Sequence, residues 1–136
     1  MALYPILRRT ATAAVIGWVC ALSFFSPTHA QVSPPITSSG LNTIVSPNGN
    51  TYNITGGTRA GANLFHSFGE FGVPANNIAN FLNETALPTN NILGRVTGNN
   101  PSNIFGTIRT TDFGPANLFL MNPAGIVFGP NATLNV

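Results

Sequence analysis

Proline-led turn signals recur at short, regular intervals along the second half of this 136-residue chain. A Pro-x-Asn core followed by an aliphatic residue begins at Pro74, Pro88, Pro101 and Pro115, so successive prolines lie 13 or 14 positions apart. Proline fixes a turn, asparagine can bond to its own backbone, and the aliphatic residue then opens a strand. Short strands at regular spacing, with turn signals between them, indicate an all-β fold.

The first half of the chain shows the same alternation of short β-like runs and turn signals. Residues 43–45, 51–55 and 63–68 are each rich in β-branched or aromatic residues and are bounded by glycine, proline or asparagine. We predict a strand in each run. Residues 76–82 are the one candidate for a short helical turn, because Ile78, Phe81 and Leu82 could line one side of it.

The scarcity of charge distinguishes between the two main all-β architectures. Charged residues make up only 6% of the chain, whereas a β-sandwich tends to alternate buried apolar residues with charged surface residues. Asparagine and glycine at the turns favour a β-solenoid, in which each coil covers the previous one and turn asparagines stack in hydrogen-bonded ladders. We therefore expect a solenoid. A spacing of 13 or 14 residues is short for a whole coil.

The first thirty residues have the three-part pattern of a secretory signal peptide. A basic segment closes with Arg8 and Arg9, residues 13–25 are mostly apolar, and the small Ala30 precedes Gln31 after a helix-breaking proline. This order of features is typical of an export signal that is removed. We expect cleavage between Ala30 and Gln31, which makes the chain an exported one.

Three other interpretations of residues 1–30 fit less well. A transmembrane anchor needs about 20 apolar residues, and this run is shorter. The Arg8-Arg9 pair is compatible with twin-arginine export, but the residues around it suit that signal poorly. Cys20 could be a lipidation site, yet residues 17–19 are bulky for the approach to a lipoprotein cysteine.

Removing residues 1–30 changes the chemistry of what remains. The only cysteine is lost, so the mature chain has neither a disulfide nor a reactive thiol. Two of the five arginines are also lost, and the charge balance becomes neutral. The remaining charged residues are Arg59, Arg95, Arg109, Glu70, Glu84 and Asp112. The net charge of +2 therefore belongs to the predicted signal peptide and is no sign of nucleic-acid or membrane binding.

Few residues of the mature chain suggest catalysis or metal binding. His66 is its only histidine and lies in an aromatic run, where a packing or surface role is expected. The three acids are scattered among turn residues, which favours solvated side chains over a catalytic carboxylate pair. Residues 56–61 are glycine-rich but lack the Gly-Lys-Ser/Thr of a phosphate loop. We expect no metal, no cofactor and no enzymatic activity.

Near the end of the chain, Asn122-Pro123-Ala124-Gly125 has the residue preferences of a type I turn. Asparagine, proline and glycine stand at the first, second and fourth positions, where each is favoured. Ile126 then begins a strand in which alternate side chains point inward.

Several stretches resemble one known family over residues 44–136. NLFHSFGEFGVP, GRVTGNNPSNIFGTIRT and ANLFLMNPAGIVFGPNATLNV are similar to the N-terminal secretion domain of filamentous haemagglutinin-type exoproteins. The family's hallmark is Asn-Pro-Asn-Gly-Ile, and this chain has Ala124 in place of the second asparagine. The replacement removes one side-chain amide, but the backbone turn should survive because alanine is tolerated at the third position.

The resemblance implies a fold and a domain organisation. The fold is a right-handed parallel β-helix with an N-terminal cap. The domains are a signal peptide at residues 1–30, an extended leader at 31–42 and the N-terminal part of the secretion domain at 43–136. Family members usually continue for hundreds of residues, so we expect this chain to be incomplete at its C-terminus. The last coil should present an open apolar end, which is aggregation-prone in a free protein.

The resemblance also implies two-partner secretion of an adhesin-like exoprotein. The signal peptide would direct the chain to the periplasm, where an outer-membrane barrel transporter would recognise the domain. The chain would then cross the outer membrane extended and fold outside, as a secreted or cell-surface protein. Partners would be that transporter and, through other regions of the exoprotein, cell-surface glycans. No nucleic-acid partner is implied.

Two questions remain open on the sequence. Asn122, Pro123, Ala124, Gly125 and Ile126 could contact the transporter or could supply only a turn that any β-solenoid needs. The chain could also be a stand-alone cell-surface solenoid that is adhesive or binds glycans. Dependence on the transporter distinguishes a secretion module from that alternative.

Overall fold

Residues 35–136 form a parallel β-solenoid of about three turns in the computed structural model, which describes this part of the chain. The predicted all-β solenoid is confirmed. The predicted signal peptide, the cleavage point between Ala30 and Gln31, and the first residues of the predicted leader lie outside the described residues.

Twelve strands and one short 3₁₀ helix make up the described part of the chain. The strands are β1 (Ile36–Ser38), β2 (Thr43–Asn48), β3 (Thr51–Gly56), β4 (Thr58–Ala60), β5 (Asn63–Phe71), β6 (Ile78–Phe81), β7 (Asn91–Val96), β8 (Ser102–Ile104), β9 (Thr107–Arg109), β10 (Asn117–Met121), β11 (Ile126–Phe128) and β12 (Thr133–Asn135). The 3₁₀ helix is Thr111–Phe113. No helix within residues 35–136 is long and apolar enough to cross a membrane.

Each coil contributes a segment to three parallel sheets, one on each side of the solenoid. The β3 sheet runs β3-β6-β9-β12, and the β5 sheet runs β5-β7-β10. The β8 sheet is the smallest, with β8 beside β11 and a single parallel bridge from Val73 to Ile104. Because the strands are only three to nine residues long, the corners between the sheets take up much of each coil.

The proline spacing in the sequence corresponds to half a coil. In the β5 sheet Asn63 pairs with Asn91, and Asn91 with Asn117, at separations of 28 and 26 residues. Pro88 and Pro115 therefore precede equivalent positions in successive coils, whereas the other two prolines occupy different corners. Two Pro-x-Asn units thus fall in each coil, and of the four units those that begin at Pro88 and Pro115 stack on each other.

Antiparallel strands cover the first coil on its N-terminal side. β2 pairs with β3, and both β1 and β4 pair with β5. These strands occupy the backbone donors and acceptors that would otherwise leave an unpaired edge. The predicted N-terminal cap is therefore present, and β1 lies within the predicted leader.

Two local predictions differ from the structure. The first predicted strand, at residues 43–45, corresponds to β2, which continues to Asn48 past the predicted turn signal. It can do so because β2 is an edge strand, and an edge strand tolerates Pro47. The candidate helical turn at residues 76–82 is wrong. Asn76 adopts a left-handed conformation with φ 64°, and Ile78–Phe81 forms β6, which is held on both sides by β3 and β9.

An aromatic cluster fills the core of the first two coils. Phe68, Phe71 and Phe81 are at most 2% exposed. The ring centroids of Phe68 and Phe71 lie 4.9 Å apart with an edge-to-face orientation, and those of Phe71 and Phe81 lie 6.3 Å apart. Aromatic pairs of this kind add about 0.5–1.5 kcal/mol beyond the burial of their area.

Asparagine amides form the predicted ladder on the outside of the β5 sheet. Asn91 Nδ2 donates to Asn63 Oδ1 at 2.8 Å, and Asn117 Nδ2 donates to Asn91 Oδ1 at 3.2 Å. The β3 sheet has a second ladder, in which Asn80 Nδ2 donates to Asn53 Oδ1 at 2.9 Å. Arg109 Nε continues that ladder by donating to Asn80 Oδ1 at 2.9 Å.

The core is least covered at the last coil. Leu118, Leu120 and Ile126 face the core but are only partly buried, and the core-facing Phe128 and Leu134 are more than half exposed. These side chains surround an open cavity of about 250 Å³. The expected apolar surface at this side of the solenoid is therefore present.

Thr110 provides a test of how much an unpaired buried hydroxyl destabilises the core. Its side chain is fully buried at the corner after β9, and its hydroxyl has no hydrogen-bond partner among residues 35–136. Thr110→Val keeps the shape and removes that hydroxyl, so we expect a gain of about 1 kcal/mol in the free energy of unfolding, measured by urea denaturation. Thr43→Val is the matched control, since the Thr43 hydroxyl accepts the Ser67 N–H at 3.0 Å, and it should lose about 1–3 kcal/mol. Equal effects of the two substitutions would contradict this account.

Candidate functional site

Residues Asn122 to Gly125 form a tight turn at the corner between β10 and β11. The Gly125 N–H donates to the Asn122 carbonyl at 3.0 Å, which closes the turn. Within the turn only Gly125 has a positive φ, of 104°, so Ala124 at the third position keeps the backbone of a type I turn. The turn predicted from the sequence is therefore present, with alanine accommodated.

The Asn122 side chain holds this turn from within. Its Oδ1 accepts the Ala124 backbone N–H at 2.9 Å, which is the bond of an Asx turn. Asparagine is preferred at this position because its short amide reaches the backbone two residues ahead.

The same side chain ties the turn to the previous coil. Asn122 Nδ2 donates to the Asn100 carbonyl at 3.0 Å and to Ser102 Oγ at 2.9 Å. The Ser102 N–H in turn donates to the Gly125 carbonyl at 2.9 Å. Both amide donors and the amide oxygen of Asn122 are thus engaged inside the molecule. A partner that binds this corner would meet other atoms first.

Those other atoms belong to the outer part of the turn. Pro123, Ala124 and Gly125 are exposed, whereas Ile126 is half-buried and faces the core. Ala124 carries its methyl group on the solvent side, and its backbone N–H is already bonded to Asn122. The asparagine that the resembling family has at this position is therefore not needed to close the turn.

The remaining candidate residues lie apart from this turn. Glu70 is on β5, Glu84 is in the loop between β6 and β7, and Asp112 is in the 3₁₀ helix. Residues 35–136 contain no group of three His, Cys, Asp or Glu side chains that could hold a metal ion. The glycine-rich segment predicted not to be a phosphate loop spans the end of β3 and the β4-β5 hairpin.

Arg59 has a structural role that the sequence did not suggest. It lies on β4 in the cap and reaches the loop between β6 and β7, where its guanidinium donates to Thr89 Oγ1 at 2.9 Å, Asn83 Oδ1 at 3.2 Å and Thr85 Oγ1 at 3.2 Å. One cation thus fastens a long loop of the second coil to the cap.

His66 is a core residue of the first coil. It is 1% exposed, and its ring lies 5.5 Å from Phe81, edge to face. The Thr43 hydroxyl lies 3.3 Å from its Nδ1, within hydrogen-bond distance, and it also accepts the Ser67 N–H. Burial, and then the positive charge of Arg59, lower the His66 pKa from 6.5 to about 4.

Comparison with protein families decides what kind of domain this is. The sequence model of one family, described as the TPS secretion domain, matches residues 30–136, which is most of the chain. The chain belongs to the TPS secretion domain family. Neither a curated protein nor a solved structure matches it.

Membership places the chain in a secretion system with two partners, as a domain of a secreted exoprotein. The match begins at residue 30, beside the predicted cleavage point, which stays a prediction. The TPS domain therefore includes the whole described solenoid and the Asn122–Gly125 corner.

The bonds of Asn122 lead to a stability prediction. Asn122→Ala removes the Asx bond and both bonds to the previous coil, so we expect the free energy of unfolding to fall by about 1–3 kcal/mol. Ala124→Ser, at the exposed neighbouring position, should change it by less than about 0.5 kcal/mol. Urea denaturation of both variants measures this, and similar losses in the two would show that Asn122 has no special role.

The buried His66 predicts a loss of stability in acid. Its folded pKa of about 4 lies below the unfolded value of 6.5, so the unfolded state binds the proton more readily. Stability should be fully present above pH 6.5 and should fall by up to about 3 kcal/mol as the pH decreases towards 4.

A His66→Gln variant isolates this effect, because it keeps all three mature acids and lacks only the imidazole. Urea denaturation at a series of pH values should give a flatter profile for the variant between pH 6.5 and 4. Parallel profiles of the variant and the natural chain would contradict the assignment.

Proposed function

We propose that this TPS domain is the secretion-targeting N-terminal module of an adhesin- or haemagglutinin-like exoprotein, and that an outer-membrane barrel transporter recognises it. The family match over residues 30–136 carries the proposal. The predicted signal peptide, with Arg8, Arg9 and the Ala30-Gln31 junction, supports export to the periplasm before that recognition.

The Asn122–Gly125 corner is the proposed recognition feature. It presents Pro123, Ala124 and Gly125 to solvent on a backbone that the Asn122 side chain holds in place. A rigid exposed turn costs little conformational entropy when a partner binds it. Because the Asx bond joins residues only two positions apart, the same local turn is available to a chain that is not yet folded.

The module is proposed to be non-catalytic. Glu70, Glu84 and Asp112 lie on separate elements, and His66 is enclosed by aromatic rings in the core. Neither arrangement supports a pair of acid and base groups at one accessible site.

Secretion of a variant with an altered turn surface tests the proposal. Pro123→Glu with Ala124→Lys changes the exposed face and leaves Asn122 and Gly125 intact, and type I turns accept most residues at these positions. In a cell that has the transporter, we expect the amount of extracellular chain, measured by immunoblotting, to fall about tenfold. The purified variant should lose only about 0.4–1 kcal/mol of stability, the usual effect of replacing a compatible proline.

The same pair of substitutions at Pro74 and Ala75 is the matched control. That Pro-Ala dipeptide is also exposed and also lies in a turn, of which Pro74 is the first residue and in which the Asn77 N–H donates to the Pro74 carbonyl at 3.1 Å. Its secretion should stay near the natural level. Equal secretion of the two variants, or secretion of the natural chain from cells without the transporter, would refute the proposed recognition.

A further inference from the structure

A cleft beside the β8 sheet combines apolar walls with one carboxylate. It has a volume of about 410 Å³ and lies between the start of β1, the end of β5 and the β7-β8 connection. Its walls include Pro35, Pro74, Pro101 and Phe105, and Phe105 is 42% exposed. The carboxylate is that of Glu70, which is half-buried.

Neighbouring residues hold the Glu70 carboxylate in position. Asn100 Nδ2 donates to Glu70 Oε1 at 3.0 Å and is the only donor to that carboxylate among residues 35–136. Gly98 packs against Glu70 so closely that an added Cβ would collide first with the Gly69 carbonyl oxygen and then with the Glu70 carboxylate. A second acceptor oxygen of Glu70 is therefore free of protein donors in the described part of the chain.

Charge complementarity identifies what such a cleft accommodates. A lone carboxylate at the edge of an apolar cleft attracts a cation whose body is itself apolar or flat. A guanidinium meets both conditions, because it donates to a carboxylate through a planar fork and also stacks on aromatic and proline surfaces. The exposed ring of Phe105 offers such a surface within the same cleft.

We propose that this cleft of the folded domain binds an arginine side chain of a partner protein segment, flanked by apolar residues. The guanidinium donates to Glu70, and the apolar flanks lie against Pro74, Pro101 and Phe105. The site belongs to the folded solenoid, because β5 and the β7-β8 connection meet only when the coils stack. It is independent of the Asn122–Gly125 turn surface and of the proposed recognition by the transporter.

A short peptide series tests the proposal on the full secreted chain. The probe is a capped valine-arginine-valine tripeptide, and its control has citrulline, a neutral isostere, in place of arginine. NMR titration should shift the signals of Gly72, Gly98 and the Asn100 side-chain amide. The arginine peptide should bind about tenfold more tightly than the citrulline peptide, the effect expected for one hydrogen bond to a charged group.

Two variants with the same change in net charge show where that preference arises. Glu70→Gln keeps an oxygen for Asn100 and removes the charge, so the preference for arginine should disappear. Glu84→Gln removes an exposed acid in the β6-β7 loop and should keep the full preference. Equal losses in the two variants, or equal binding of the two peptides to the natural chain, would overturn the proposal.

Spermidine provides the remaining arm of the test. It carries positive charge without a guanidinium or apolar side chains, so it should compete poorly for the cleft. Binding of spermidine as tight as that of the arginine peptide would show that the cleft selects charge alone, and the proposed peptide partner would be wrong.

Discussion

The parallel register between successive coils is the constraint on which the rest of the structure depends. In the β5 sheet it places Asn63, Asn91 and Asn117 in one line and Leu64, Ile92 and Leu118 in the line beside it. Amides thus meet amides on the outside, while aliphatic side chains meet inside. A shift of one residue would turn every inward side chain outward and break both lines together. The register therefore fixes the core and the surface at once.

Amide hydrogen bonds have the place that ion pairs have on many other protein surfaces. The chain has few charges, and two of the three arginines among residues 35–136 bond neutral oxygens, Arg59 in the cap and Arg109 on the β3 ladder. Hydrogen bonds between neighbouring coils stabilise each coil only when the next one is in place. Folding is then coupled to the stacking of coils, which suits a chain proposed to cross a membrane extended and to fold afterwards.

The candidate recognition turn is closed by local bonds and is then held in place by the same coil stacking. Asn122 closes its own turn through Ala124 and then fastens it to Asn100 and Ser102 of the previous coil. The motif therefore combines two roles in adjacent residues. Asn122 shapes the corner from within, and the exposed Pro123 and Ala124 form its outer surface. A loss of secretion after substitution of Asn122 would not by itself distinguish folding from recognition, whereas Pro123 and Ala124 separate the two.

The position of a segment in the fold overrides its local sequence preference at several points. Pro47 would end a central strand, but β2 is an edge strand and continues through it. Residues 76–82 have spacing that fits a helical turn, yet pairing with β3 and β9 makes β6 a strand. His66 was predicted to be a packing or surface residue, and its neutral, buried state follows from aromatic rings that arrive from two different coils.

The β class, the turns and the presence of stacked asparagines can be predicted from the amino-acid sequence. These follow from residue type over a few positions, since proline, glycine and asparagine limit the local backbone. Three features are visible only in the folded coils: two Pro-x-Asn units fall in each coil, Asn122 bonds to Asn100 and Ser102, and Glu70 shares a cleft with Phe105. These partners lie about 20 or more residues apart in the chain. Their meeting depends on the length of each coil and on the register between coils, which no short stretch of sequence specifies.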